Sequence, residues 1–283
     1  MTSLIFCGFG KLGQDCLNML KEHGYTITYI FTHKEKEVDS VDTFAEKNGI
    51  PYSYEDMRKN EQGVIDKLLP IAPEYLVSVN YRYIIPKNIF DIPIYAFNIH
   101  GSLLPAYRGR TPHVWSIIHG QSKAGITSHL LEETVDTGDV IEQWEVPIDK
   151  EDTGYLLLQK YEKLYPRLLL RSLKKLENRE PLLVQDETRA SFYGKRTPDM
   201  GYIDFYKSGE DVRNFVRAQA NPYPGAYYFL NDGRKIIIHE LEVINSISSD
   251  SPSIGIVYTT GDTYYVHCKD SCLKIISYEI RKG

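Results

Sequence analysis

A chain of 283 residues, 42% hydrophobic and 25% charged, has material for two ordinary cores and falls outside the disordered and membrane-embedded classes. The net charge of -5 argues against a protein that grips nucleic acid over a broad basic surface, leaving at most a local patch. No apolar run reaches bilayer-spanning length and Met1-Thr2-Ser3 lacks the basic start of a secretion signal, so a cytoplasmic protein without a membrane partner is expected.

Leu4–Cys7 reads as a buried parallel strand, followed by Gly8-Phe9-Gly10-Lys11-Leu12-Gly13 and a helix with Leu12, Cys16, Leu17 and Leu20 on one face. The glycines fit the G-x-G-x-x-G turn of dinucleotide sites. The next strand, Thr26–Phe31, ends in Thr32-His33-Lys34, where that motif needs an acid for the ribose. Glu35 and Glu37 stand farther along in a charged loop. A tight strand–helix turn is therefore favoured over a nicotinamide site. The four cysteines, Cys7, Cys16, Cys268 and Cys272, form no Cys-x-x-Cys pair, which favours buried thiols over a disulfide or zinc site.

Helices are predicted at Val41–Lys47, stopped by Asn48-Gly49, and at Val64–Leu69 before Pro70. Strand Tyr75–Val79 continues the βαβ alternation; beyond it, Asn80-Tyr81-Arg82-Tyr83 either lines a cleft or forms a solvated loop before a short helix. Ile94–His100 alternates like a strand and enters a loop rich in glycine and proline up to Pro112. Next come a helix at His113–His119, a strand at Gly125–Leu131, a turn at Asp136–Asp139 and a strand at Val140–Val146. A long helix, Tyr155–Leu176, follows, with Leu156, Leu157, Lys160, Leu164, Leu168 and Leu169 facing inward and Pro166 kinking it. After Pro181 the pattern changes to short strands: Ala226–Leu230, Lys235–His239, Ser253–Thr259 and Thr263–Cys268. The expected architecture is α/β: a Rossmann-like, mostly parallel sheet over residues 1–185, then a smaller β-rich domain, OB-like or an open sheet, over 186–283.

Asn98 and His100 are two apart on one strand and so share a face. An amide can donate to a developing oxyanion, and an imidazole can relay a proton from an attacking amine; acyl transfer needs both. Asp136, in the turn after another strand, is the best carboxylate to orient the imidazole.

Asn98-Ile99-His100-Gly101-Ser102-Leu103-Leu104-Pro105, Arg108-Gly109, Pro112, Gly125-Ile126-Thr127 and Asp136-Thr137-Gly138 together are similar to the folate-dependent formyltransferase family. Tyr193-Gly194-Lys195-Arg196-Thr197-Pro198 and Asn221-Pro222-Tyr223-Pro224-Gly225-Ala226 extend the resemblance over nearly the whole chain. These later motifs look like the two-domain members, methionyl-tRNA formyltransferases and, more closely, sugar-nucleotide N-formyltransferases. The resemblance implies transfer of formyl from N10-formyltetrahydrofolate to a primary amine, with no metal and no NAD, by Asn98, His100 and Asp136. It places the co-substrate against Ser78, Tyr83, Ile84, Ile85, Thr137 and Gly138. Glycinamide ribonucleotide transformylases resemble the first domain only, and methionyl-tRNA fits poorly with the -5 charge. The expected acceptor is therefore an amino-deoxysugar on dTDP or UDP for bacterial surface-glycan synthesis, such as lipopolysaccharide O-antigen. Asn80, Arg82, Arg108, Arg110, Lys195 and Arg196 are candidates for its polar groups and Tyr223 for its base. The expected partners are this small molecule and a second copy in a homodimer.

Overall fold

The computed structural model describes residues 3–35, 39–244 and 253–282; Glu37, named above, lies outside them. The chain divides into two compact units, neither contiguous in sequence. One comprises residues 1–109, 125–146 and 160–192; the other comprises 110–124, 147–159 and 193–283.

The first unit opens with β1 (Ser3–Gly8), α1 (Gly10–Glu22), β2 (Thr26–Phe31), α2 (Val41–Asn48) and β3 (Tyr52–Ser53). It continues with α3 (Glu61–Leu68), β4 (Tyr75–Val79), α4 (Lys87–Phe90), β5 (Tyr95–His100) and β6 (Arg108–Gly109). Next along the chain come α5 (Pro112–Ile118), which belongs to the second unit, then β7 (Lys123–Leu130), β8 (Val140–Pro147) and α6 (Gly154–Glu177), whose first turns, to Gln159, belong to the second unit as well. Seven strands form one sheet in the order β3-β2-β1-β4-β5-β7-β8. The pairs from β3 through β5 are parallel, as βαβ crossovers require, whereas β7 runs antiparallel to β5.

Successive residues of each strand point to opposite faces. On one face Ile5, Cys7, Leu76 and Ala96 pack with Met57, Val64, Leu68, Ile89 and Phe90 from α3, α4 and the preceding turn. All four cysteines are buried free thiols. Among the described residues no helix is long and apolar enough to cross a membrane.

Helix α6 departs from the expected pattern at Leu156, which is 43% exposed instead of inward. Its buried stripe is Leu157, Tyr161, Tyr165, Leu168, Leu169, Leu173 and Leu176, with Lys160 and Leu164 only half-buried. Tyr161 and Tyr165 hold the inward positions that the expected pattern gives to their neighbours Lys160 and Leu164.

The division between the units falls within β9 (Phe192–Tyr193); in the second unit α7 (Gly209–Ala218), β10 (Ala226–Phe229), β11 (Lys235–Ile244), β12 (Val257–Thr260), β13 (Thr263–His267) and β14 (Cys272–Arg281) follow in turn. The last five make an antiparallel sheet in the order β10-β11-β14-β13-β12, and among the described residues its edge strands β10 and β12 do not pair with each other. Neither α7 nor β14 was expected. Ser208 caps α7 by accepting the Asp211 N–H at 3.1 Å, Glu210 and Asp211 favour its positive end, and Val212 and Val216 are buried. In β14, Leu273 and Ile275 are buried in the same core as Ile236, Ile238 and Leu241 of β11. The strand expected from Ser253 begins only at Val257, because Ile254 and Gly255 form a turn.

Replacing the fully buried Leu168 by Ala should lower the unfolding free energy by about 2–5 kcal/mol. Leu156→Ala should change it by less than about 0.5 kcal/mol. Urea unfolding of the two variants beside the parent checks both, and equal losses would place Leu156 in the core.

Candidate active site

Where β4 and β5 end, their shared face turns from apolar to polar. The sheet register aligns Cys7, Ser78, Asn98 and His129 across β1, β4, β5 and β7, and pairs His100 with Thr127. Carboxyl ends of strands in open α/β sheets are where ligands bind.

His100 is buried at the end of β5, and its Nε2 donates to the Tyr107 carbonyl at 2.8 Å. Its Nδ1 lies 3.5 Å from Asp136 Oδ2. Burial pushes the imidazole below its ordinary 6.5 and outweighs the support of the Asp136 charge and the Tyr107 carbonyl. Near neutrality the ring is thus uncharged, with its proton on Nε2 and a lone pair on Nδ1.

Asp136 is buried in the turn between β7 and β8, in the left-handed region at φ 61. That conformation costs roughly 1–3 kcal/mol and has to be held by its surroundings. Burial raises the carboxyl pKa, but the electrostatic pull of His100 and His129 and the Gly109 N–H together hold it well below the usual carboxylate range. With His100 neutral, the Gly109 N–H at 2.8 Å still supports the anion.

His129 was not among the expected site residues. Its Nδ1 donates to the Leu130 carbonyl at 2.8 Å, leaving Nε2 at 3.3 Å from Asn98 Nδ2 and 3.4 Å from Asp136 Oδ1. Nε2 accepts one N–H of the Asn98 amide; among the described residues the second has no protein partner. Asn98, His129, Asp136 and His100 thus form one connected cluster. The alternation of Thr127 and His129 on one strand was visible, but the pairing of that strand with β5 was not.

Two glycines are required by close approach. A Cβ on Gly138 would lie 2.0 Å from the Leu130 carbonyl oxygen, and one on Gly125 would lie 2.3 Å from Leu103 Cδ2. Thr127 anchors the neighbouring loop: its Oγ1 donates to the Ser102 carbonyl at 2.6 Å and accepts the Leu104 N–H at 3.3 Å.

The other expected residues fall into separate groups. Ser78 is buried beside Asn98 in the register, Ile85 is in the core, and Ile84 is 53% exposed. The Tyr83 ring lies 4.5 Å from that of His33, Thr137 Oγ1 donates to the Thr134 carbonyl, and Gly138 follows in the same turn. Asn80 donates to the Phe9 carbonyl at 3.3 Å, and the Arg82 guanidinium stacks 3.6 Å from the Phe9 ring centre. His33 fills the tip of β2, against Phe9, Tyr81 and Tyr83, where a dinucleotide site places its acid. Arg108 is buried and bound to Glu187 and Gln185.

Arg110, Lys195, Arg196 and Tyr223 belong to the second unit. Arg110 N donates to the Tyr193 carbonyl, and Lys195 is exposed. Arg196 lies over Trp115 and Phe215 and donates to Met200 and Gln219. The Tyr223 hydroxyl hydrogen-bonds His113 Nε2 at 2.9 Å.

Residues 3–173 match the family description "Formyl transferase" and residues 195–283 match "Formyl transferase, C-terminal domain". Among solved structures, the chain is similar to an N-formyltransferase from Helicobacter canadensis in complex with folinic acid and dTDP-3-aminofucose: TM-score 0.78, 17% identity, covering 99% of this chain and 100% of that one. WlaRD, a sugar 3N-formyltransferase studied with dTDP and 5-N-formyl-THF, matches at TM-score 0.75 and 20% identity, covering 97% of each chain. A methionyl-tRNA formyltransferase from Clostridium thermocellum matches at TM-score 0.62 and 17% identity over 100% of both. With both of its parts matched in order, the chain belongs to the formyl transferase family.

Proposed function

We propose that the protein transfers a formyl group from N10-formyltetrahydrofolate to the amino group of a nucleotide-linked amino-deoxysugar, with the acceptor on dTDP or UDP. The observation that carries the chemistry is the buried meeting of Asn98, His100 and Asp136. The folate donor and sugar acceptor draw support from the two sugar-formyltransferase structures described with folate compounds and dTDP ligands. The acidic balance of the chain favours a small acceptor over tRNA. The catalytic domain is taken as residues 1–185 and the β-rich domain as 186–283.

In the transfer, the amine nitrogen attacks the formyl carbon and the carbonyl electrons move to oxygen. The free N–H of Asn98 donates to that oxyanion. Nδ1 of His100 takes the proton lost by the amine, and the imidazolium so formed lies beside the Asp136 carboxylate, which stabilises it without taking the proton. The tetrahedral intermediate collapses, the bond from carbon to N10 breaks, and the proton passes to N10. The products are a formamide and tetrahydrofolate. The co-substrate's pterin would lie along 78–85 and the turn at 137–138, with Arg82 and Asn80 toward the acceptor.

The function is tested by incubating dTDP-, UDP- and GDP-linked amino sugars, and methionyl-tRNA in parallel, with the formyl donor. A mass gain of one formyl group on a sugar is expected; formylation of the tRNA alone would overturn the acceptor reading. His100→Ala and Asn98→Ala should each lower kcat by at least about 100-fold with KM little changed. Near-normal turnover in either would remove that residue from the mechanism. Because burial holds His100 below 6.5, its neutral, proton-accepting form persists to that pH. The acid limb of the kcat profile should therefore lie below pH 6.5, with a plateau from there to pH 8; a limb above 6.5 would assign the titration to another group.

A further inference from the structure

A second set of contacts closes around Asp136 from behind. Both N–H groups of the Gln185 amide are spent on its turn: Nε2 donates to the Asp136 carbonyl at 3.0 Å and to the Gly138 carbonyl at 2.7 Å. The amide oxygen of Gln185 accepts from Arg108 Nη2 at 2.7 Å, and Arg108 Nη1 donates to Glu187 at 2.8 Å. Gly109, the residue after Arg108, donates its backbone N–H to the Asp136 carboxylate at 2.8 Å. The path is a closed ring, running from the Asp136 carboxylate through Gly109 to Arg108, across to Gln185 and back to the Asp136 carbonyl.

We propose that Gln185, braced by Arg108, is a positioning residue that fixes the Asp136 carboxylate against His100 by holding the backbone of the 136–138 turn. The inference rests on the role given to Asp136 above. Three features carry it. The left-handed backbone at Asp136 needs restraint, because relaxing it would swing the carboxylate away from Nδ1 of His100. Gln185 and Arg108 are 8% and 6% exposed, so their hydrogen bonds compete little with water. Arg108 offers only donors, which turns the amide oxygen of Gln185 toward it and the two N–H groups toward the carbonyls. This assignment also gives Arg108 a different task from binding a substrate phosphate. Its terminal nitrogens are committed to Gln185 and Glu187, and a phosphate would have to displace them.

Gln185→Met keeps length and volume while removing every bond to the turn. In this variant kcat should fall about 10- to 100-fold, with KM for donor and acceptor within about threefold of the parent. The Gly109 amide should exchange faster by NMR, and the His100 imidazole should titrate at lower pH, because the charge that supports its proton has moved away. Should that variant fail to fold, Gln185→Glu retains the acceptor for Arg108 but turns an acceptor toward both carbonyls, and it should lower kcat and Gly109 protection alike. A folded Gln185→Met enzyme with parental kcat, Gly109 exchange and His100 titration would overturn the proposal, as would lost thermal stability with all three unchanged. Failure of the underlying reading has a separate signature: Asp136→Asn would keep full turnover, while the exchange and titration measurements, which need no substrate, would still decide the role of Gln185.

Discussion

A carboxylate buried against two imidazoles sets the terms for the rest of this structure. Removing an ion of this size from water costs several kcal/mol unless nearby donors replace its hydration. Here the groups around it come from different stretches of chain: the Gly109 N–H from β6, which donates to it, and the imidazoles of His100 from β5 and His129 from β7, which pack against it. Each element must therefore arrive together with the others. The tight contact of Gly138 with Leu130, and the anchoring of 102–104 by Thr127, bring the donor-bearing loops to the carboxylate.

The two histidines around Asp136 divide the work. His129 is locked by the Leu130 carbonyl on one side and engages Asn98 and Asp136 on the other. His100 is held by a single carbonyl and keeps one nitrogen without a hydrogen bond. A ring with a spare lone pair beside an anion is a proton acceptor. A ring with both nitrogens engaged is a spacer that sets the distance from amide to carboxylate.

Much of this was legible in the sequence because local chemistry and tertiary role agree. The strand at 95–100, the Asn-x-His pair on one face and the carboxylate in a glycine-flanked turn each carry their own signal. His129 was hidden because its role depends on β7 lying antiparallel beside β5, and strand order is not written in local periodicity. The exposed Leu156 and buried Tyr161 and Tyr165 have a similar cause: local spacing leaves the phase of the helix open by one residue, and that phase decides whether Lys160 and Leu164 or Tyr161 and Tyr165 are buried. Helix α7 was missed although its cap and first-turn acids were in plain view, since the surrounding strand-like texture dominated the reading. Arg108 and Gln185 lie far apart in sequence, so only the fold could show that they meet.

The reversed direction of β7 turns strand register into a ruler for the catalytic cluster. Opposite β5, residues 127 and 129 share one face and residues 126 and 128 the other, so loss of one residue within the strand would trade Thr127 and His129 for their neighbours. Residues 132–135, between the strand and Asp136, are exposed and lie off the ladder. Insertions and deletions in this lineage should therefore accumulate in that short connection and stay out of the strand, where spacing counted in single residues decides whether an imidazole or a serine faces Asn98.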